Sequence, residues 1–166
     1  CDWSSDVCSS DLVRLAAGAE EPAWWSSLAP SVLGEAFTAA AVGDFLARHR
    51  RAPLKAVLLR QERFPGIGNW MADEVLWRAG LHPATPAGAL DDAAVARLRR
   101  VLRKVARDAV ATIGDDWGYP TGWLFAHRWG DGGRCPRCRR GLVRERVGGR
   151  TTCWCAGCQP SPRPRR

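Results

Sequence analysis

Four of the chain's seven cysteines stand as two C-x-x-C pairs, Cys135/Cys138 and Cys155/Cys158, with sixteen residues between the pairs. Thiolates are soft donors, and four of them in a tetrahedron select zinc. Each pair can grip one face of a metal while the spacer runs out and back as a hairpin, and the spacing lies in the zinc-ribbon range. Four protein ligands leave no position for water, so one bound zinc is expected to be structural. Cys153 is a competing thiol. Pairing it with Cys158 would stretch the second pair to C-x4-C, so Cys155 is the expected ligand. His49, His82 and His127 are expected to pack or cap rather than ligate. Between the pairs, "VGGRTT" presents Arg150 beside two glycines, where a guanidinium can enter a groove or clamp a phosphate. Taken alone, that stretch reads as a tight turn with a solvated arginine.

A second stretch with chemistry to offer is "FPGIGN", residues 64–69. A Gly-x-Gly turn that opens a helix brings backbone N–H groups to the positive end of the helix dipole, which suits a phosphate. Asn69 can cap that helix or bond the same anion. By itself the motif is common between helices, and it also fits a helix-hairpin-helix DNA motif.

These residues need elements to hold them. Helical periodicity predicts a first helix from Thr38 to about Arg50, capped by Thr38, with Ala41, Val42, Phe45, Leu46 and His49 on one face. A second is expected from Pro53 to Glu62, with Leu54, Val57, Leu58 and Gln61 lining one side. A third starts near Asn69 and stops at Gly80, with Met71, Val75, Leu76 and Ala79 in the core. Asp91 caps a long fourth helix whose apolar stripe runs through Val95, Leu98, Val101, Leu102, Val105, Ala109, Val110 and Ile113. Its basic residues, Arg97, Arg100, Arg103, Lys104 and Arg107, fall outside the stripe and read as a solvated face. Residues 114–133 are Gly- and Trp-rich and expected to be irregular. "LVRERV-GG-RTTCWC" then alternates as a hairpin does.

The balance of charge agrees with a polyanionic partner. The net charge is +8, and from Arg134 to Arg166 ten arginines face one acid, Glu145, which leaves the rest of the chain near neutral. A basic tail on a neutral body suits nucleic acid. Arginine outnumbers lysine 23 to 2, as GC-rich coding produces, but such bias does not explain the clustering. No apolar run reaches membrane-spanning length, and no basic-then-apolar head suggests a secretory signal. Paired cysteines in that setting favour metal over disulfides.

Residues 1–12, "CDWSSDVCSSDL", lack periodicity and match a translated sequencing-adapter oligonucleotide. They are read as an artefact joined to a truncated frame, so that the segment preceding Val13 is missing and Cys1 and Cys8 carry no function. Trp24-Trp25 is expected to pack a linker onto the body.

From Leu33 to Gln159 the order of motifs resembles the formamidopyrimidine-DNA glycosylase and endonuclease VIII family. "LLRQERFPGIGNWMADEVLWRAGLHP", a long helix and then a four-cysteine hairpin carrying "GGRTTCWC" look like its helix-two-turn-helix domain and C-terminal zinc finger. The resemblance implies a mainly α fold with a small zinc β-hairpin, the N-terminal β-sandwich catalytic domain being absent. The expected divisions are 13–32 as remnant and linker, 33–114 as the helix-two-turn-helix domain, 115–133 as linker, 134–160 as zinc finger and 161–166 as tail. It implies damaged duplex DNA as partner, with Lys55, Gly66, Gly68, Asn69 and Arg150 at the DNA, and Arg150 assigned also to the elimination step. It implies Cys135, Cys138, Cys155 and Cys158 as ligands of one zinc, a monomer, and a bacterial cytoplasmic, nucleoid-associated setting. The activity implied for the parent is base excision with abasic-site cleavage. Its nucleophile would be an N-terminal proline amine, with the following glutamate in acid–base steps, after the base is flipped out. Here Cys1 is the first residue and Pro22 the first proline, with an amide nitrogen. These residues alone are therefore expected to bind DNA without excising bases. Trp70-Met71 stands where the family commonly has Ile-Tyr, and Cys153 is an added thiol.

Three other readings compete. A plain zinc-ribbon module explains the basic tail and not the helical body. A helix-hairpin-helix glycosylase or nuclease explains the turn and not the cysteines. The third is a structural α domain with a zinc staple and no DNA role.

Overall fold

The computed structural model describes residues 29–113, 120–130 and 132–162. Residues 1–12, the Trp24-Trp25 pair and residues 163–166 of the tail lie outside the described residues.

Among the described residues, four α-helices and one hairpin carry most of the regular structure. They are α1 (Ala39–Arg48), α2 (Leu54–Leu58), α3 (Asn69–Ala79), α4 (Asp92–Ile113), β1 (Val143–Val147) and β2 (Arg150–Trp154). The helices enclose one apolar core. Phe64 meets both Phe37 and Phe45 edge-on, at centroid separations of 6.1 and 5.7 Å. Leu54, Leu76, Leu98 and Leu102 fill the space between helices. Among the described residues no helix is long and apolar enough to cross a membrane.

Cap chemistry sets most boundaries where the sequence places them. The Thr38 hydroxyl accepts from Ala41 N, and Asp91 Oδ1 accepts from Ala94 N. Gly80 ends α3 at φ +67°, and Leu81 N reaches back to Leu76 O, a closure that needs a left-handed residue.

The second helix is the main departure. It ends at Leu58 rather than Glu62. Gln61, expected on the side of the helix shared by Leu54, Val57 and Leu58, is exposed and ties the following turn, donating to Leu59 O and Ile67 O and accepting from Gly66 N. A side chain that satisfies backbone groups in a turn competes with helix propagation. The chain must also reverse there to bring Phe64 and Ile67 inward. Two stripe assignments shift as well: Met71 is only half-buried, and Val110 is 69% exposed. On α4, Arg97 and Arg103 are not simply solvated, since they donate to Ala79 O and Gly34 O.

Residues 120–130 are more structured than expected. They hold a 3-10 helix, Leu124–His127, with Trp123 and Leu124 buried. Glu74 anchors it: one carboxylate oxygen bonds Arg78, and the other accepts from Phe125 N. The hairpin follows the predicted register, Val147 pairing with Arg150 across Gly148-Gly149. Both glycines have positive φ, +60° and +80°, which a two-residue turn matched to strand twist requires.

Candidate metal centre and nucleic-acid interface

The Sγ atoms of Cys135, Cys138, Cys155 and Cys158 all lie within 4.8 Å of one another. Cys135–Cys158 is 3.8 Å and Cys138–Cys155 is 3.4 Å. A zinc tetrahedron with Zn–S bonds of ~2.3 Å has S···S edges of ~3.8 Å, so the donor set fits one zinc ion. Cys153 is not in the cluster; its side chain is buried, and its backbone N–H bonds Asp73 instead. Nor are the histidines. His49 bonds Phe45 O, His82 accepts from Ala84 N against the Trp154 ring, and His127 bonds Thr121 O.

The local chain builds this cluster in two steps. Residues 135–141 form a knuckle, with Cys135 N bonded to Arg140 O and Arg139 N to Cys135 O. A second knuckle bonds Cys158 N and Gln159 N to Cys155 O. Trp77 of α3 donates its indole N–H to Cys135 Sγ at 3.4 Å, and Arg137 lies over the same ring. Burial pushes the Cys135 thiol up, but donors from Cys138, Trp77 and Arg137 outweigh it and bring it down to about 6. Such outer donors favour the thiolate and orient it. Gln159, fully buried, accepts from Cys155 N and donates to Leu81 O, clipping the knuckle to the end of α3.

The turn and the hairpin tip meet. Gly66 has φ +79°, a region open to glycine, whereas Gly68 has φ −88° and merely precedes α3. Asn69 does not cap the helix. It is its first residue, and its Nδ2 donates across to Thr151 O of β2 at 3.0 Å. The tip also touches α2: a Cβ on Gly148 would stand 2.6 Å from the Ala56 Cβ. Gly66, Asn69 and the Arg150 end of the hairpin thus share one side of the molecule, with Arg150 exposed. The first N–H groups of an α-helix have no intrahelical acceptor, and those of α3 follow directly on the Gly66–Gly68 turn.

Lys55 is placed differently from an exposed phosphate ligand. It is 0% exposed, and its Nζ donates to Asn69 O and, at 2.6 Å, to Asp73 Oδ1. Burial pushes its ammonium below the ordinary lysine value while Asp73 pulls it back. Sequence reasoning missed Asp73, Glu74, Arg128 and Gln159, all buried and polar. One signal was present: Asn69, Asp73 and Trp77 recur every four residues on one face of α3, so an acid sits on a face that must be covered.

Residues 28–117 match the Formamidopyrimidine-DNA glycosylase H2TH domain. A formamidopyrimidine-DNA glycosylase of Chloroflexus aggregans is 38% identical over 139 residues, covering 78% of this chain and 50% of that protein. One from Thermus thermophilus is 41% identical over 144 residues, covering 80% and 53%. The chain spans about half the length of these curated relatives. Among solved structures, the MutM (Fpg) protein of Thermus thermophilus superposes with a TM-score of 0.69 at 38% identity, over 82% of this chain and 55% of that one. Lactococcus lactis Fpg, in complex with an abasic site containing DNA, gives 0.68 at 25% identity, over 82% and 53%.

Proposed function

Because this chain belongs to the formamidopyrimidine-DNA glycosylase family, we propose that its described residues are the DNA-gripping half of a base-excision repair enzyme. Its partner on this reading is damaged duplex DNA in a bacterial cell. The parent reaction is glycosylase and abasic-site lyase chemistry. The single observation that carries the reading is the Asn69–Thr151 bond, which joins the glycine turn to the arginine-bearing hairpin. Two elements suited to phosphate then act as one surface.

Each residue has a role in this account. Gly66 lets the backbone turn close to the DNA strand, and Gly68 leads into α3, whose N–H groups face a phosphate. Asn69 commits one amide N–H to Thr151 and offers the other. Arg150 clamps a second phosphate from the tip, and in the parent enzyme serves the elimination step. Lys55 acts from beneath, holding the Asn69 carbonyl, rather than by reaching the DNA. Cys135, Cys138, Cys155 and Cys158 hold one zinc, which supplies cross-linking of the hairpin base and no reaction step. The working division is a helix-two-turn-helix body, 33–114, and a zinc finger, 134–160.

Among the described residues the lysine amines are both paired, Lys55 buried against Asp73 and Lys104 against Asp108, so reversible binding without covalent capture is expected of them. The experiment is a binding titration with abasic-site duplex, followed by borohydride trapping. Reversible binding and no covalent adduct are the expected outcome. Absence of binding would refute the DNA reading, and a strong adduct would put the nucleophile inside these residues.

A further inference from the structure

One buried carboxylate joins four elements. Asp73, on α3, has a fully buried side chain. Its Oδ1 accepts from Lys55 Nζ of α2 at 2.6 Å. Its Oδ2 accepts from Arg128 Nη2 at 2.6 Å and from Cys153 N of β2 at 3.1 Å. These partners lie 18, 55 and 80 residues away in sequence. Lys55 in turn donates to Asn69 O, one helical turn before Asp73. The Cys153 N–H is committed to Asp73 at the open edge of β2, where no third strand stands among the described residues. A single acid therefore reaches both halves of the interface, the turn through Lys55 and the hairpin through its outer edge.

Stability alone is a poor reason for such a cluster. Two charges buried against one carry desolvation costs that apolar side chains of similar volume would avoid, and buried ion pairs are better explained by what they orient. Charge-assisted donors from three directions also leave the carboxylate one orientation.

We propose that Asp73 is a positioning residue of the DNA-binding surface. It holds the turn bearing Asn69 and the hairpin bearing Arg150 in one fixed relation, so that each binds phosphate best when the other does. This rests on the DNA reading above and adds a coupling that the reading does not require.

The test uses the zinc-loaded chain in two measurements. In the first, affinity for abasic-site duplex is measured for Asn69→Ala, Arg150→Ala and the double variant, with Asp73 intact and again with Asp73→Asn. With Asp73 intact, the double loss should depart from the product of the single losses by about fivefold or more, as contacts within one network do. With Asp73→Asn the departure should fall to within about twofold, with zinc content unchanged. Coupling that survives Asp73→Asn would overturn the proposal, because a merely structural acid would lower the melting temperature and leave coupling intact. In the second, amide exchange of Cys153 is followed in the unmutated protein without DNA. Protection comparable to the β1–β2 ladder amides is expected. Exchange like that of an exposed edge amide would refute the link whether or not the chain binds DNA, and whether or not Asp73→Asn folds. Arg128→Gln, which removes one arm and keeps the carboxylate, should speed Cys153 exchange by less than Asp73→Asn does; an equal or larger effect would contradict the central place of Asp73.

Discussion

At the scale of single residues, the interface rests on small groups with steric and hydrogen-bonding roles. Gly148 shows the steric part. It has φ +60° and no room for a Cβ against Ala56. Gly148→Ala should destabilise the hairpin by roughly 1–2 kcal/mol from the left-handed backbone alone, with more from the clash. Thermal unfolding of the zinc-loaded protein checks this, and an unchanged melting temperature would mean the tip does not sit on α2. Asn69 and Arg150 show the polar part. Replacing either with Ala should weaken binding to all duplex sequences about equally, because both are assigned to the backbone, and Arg150→Ala should lower the salt slope by about one. A sequence-dependent loss would reassign the residue to base reading. The turn glycines Gly66, Gly148 and Gly149 and the exposed tip at Arg150 were legible because turn residues and tips declare themselves locally. Asp73, Arg128 and Gln159 were not, because a buried polar group is explained by partners far along the chain.

At the scale of elements, the hairpin, its glycine turn and three helix caps were legible from spacing and cap residues. The second helix was misjudged in length, since the Gln61 side chain competes for backbone groups in a way that periodicity does not register. The segment around residues 120–130 was read as irregular, yet Glu74 recruits it to α3 through Phe125 N. The cysteine cluster makes a sharp element-level prediction. Cys138→Ser should lose the metal and the hairpin's order while the helices, with their separate core, stay folded. Cys153→Ser should keep one zinc per chain, because its thiol is outside the cluster. Metal analysis with far-ultraviolet circular dichroism measures both. Loss of zinc from the Cys153 variant would reverse the ligand assignment.

At the scale of the whole molecule, helical body and zinc hairpin form one structure through Asn69–Thr151, Asp73–Cys153, Trp77–Cys135 and Gln159–Leu81. The sequence showed both parts and their order but not this seam, since its bonds are mostly between backbone groups and polar side chains with no pattern of their own. On the proposed reading, the seam turns two stretches suited to phosphate into one surface. The central claim is that this surface binds duplex DNA through its backbone, and a salt titration of affinity tests it most directly. If roughly four to six phosphates are contacted, log affinity of the zinc-loaded chain should fall against log salt with a slope of about −4 to −5. An affinity that stays flat between low and moderate salt would contradict the account.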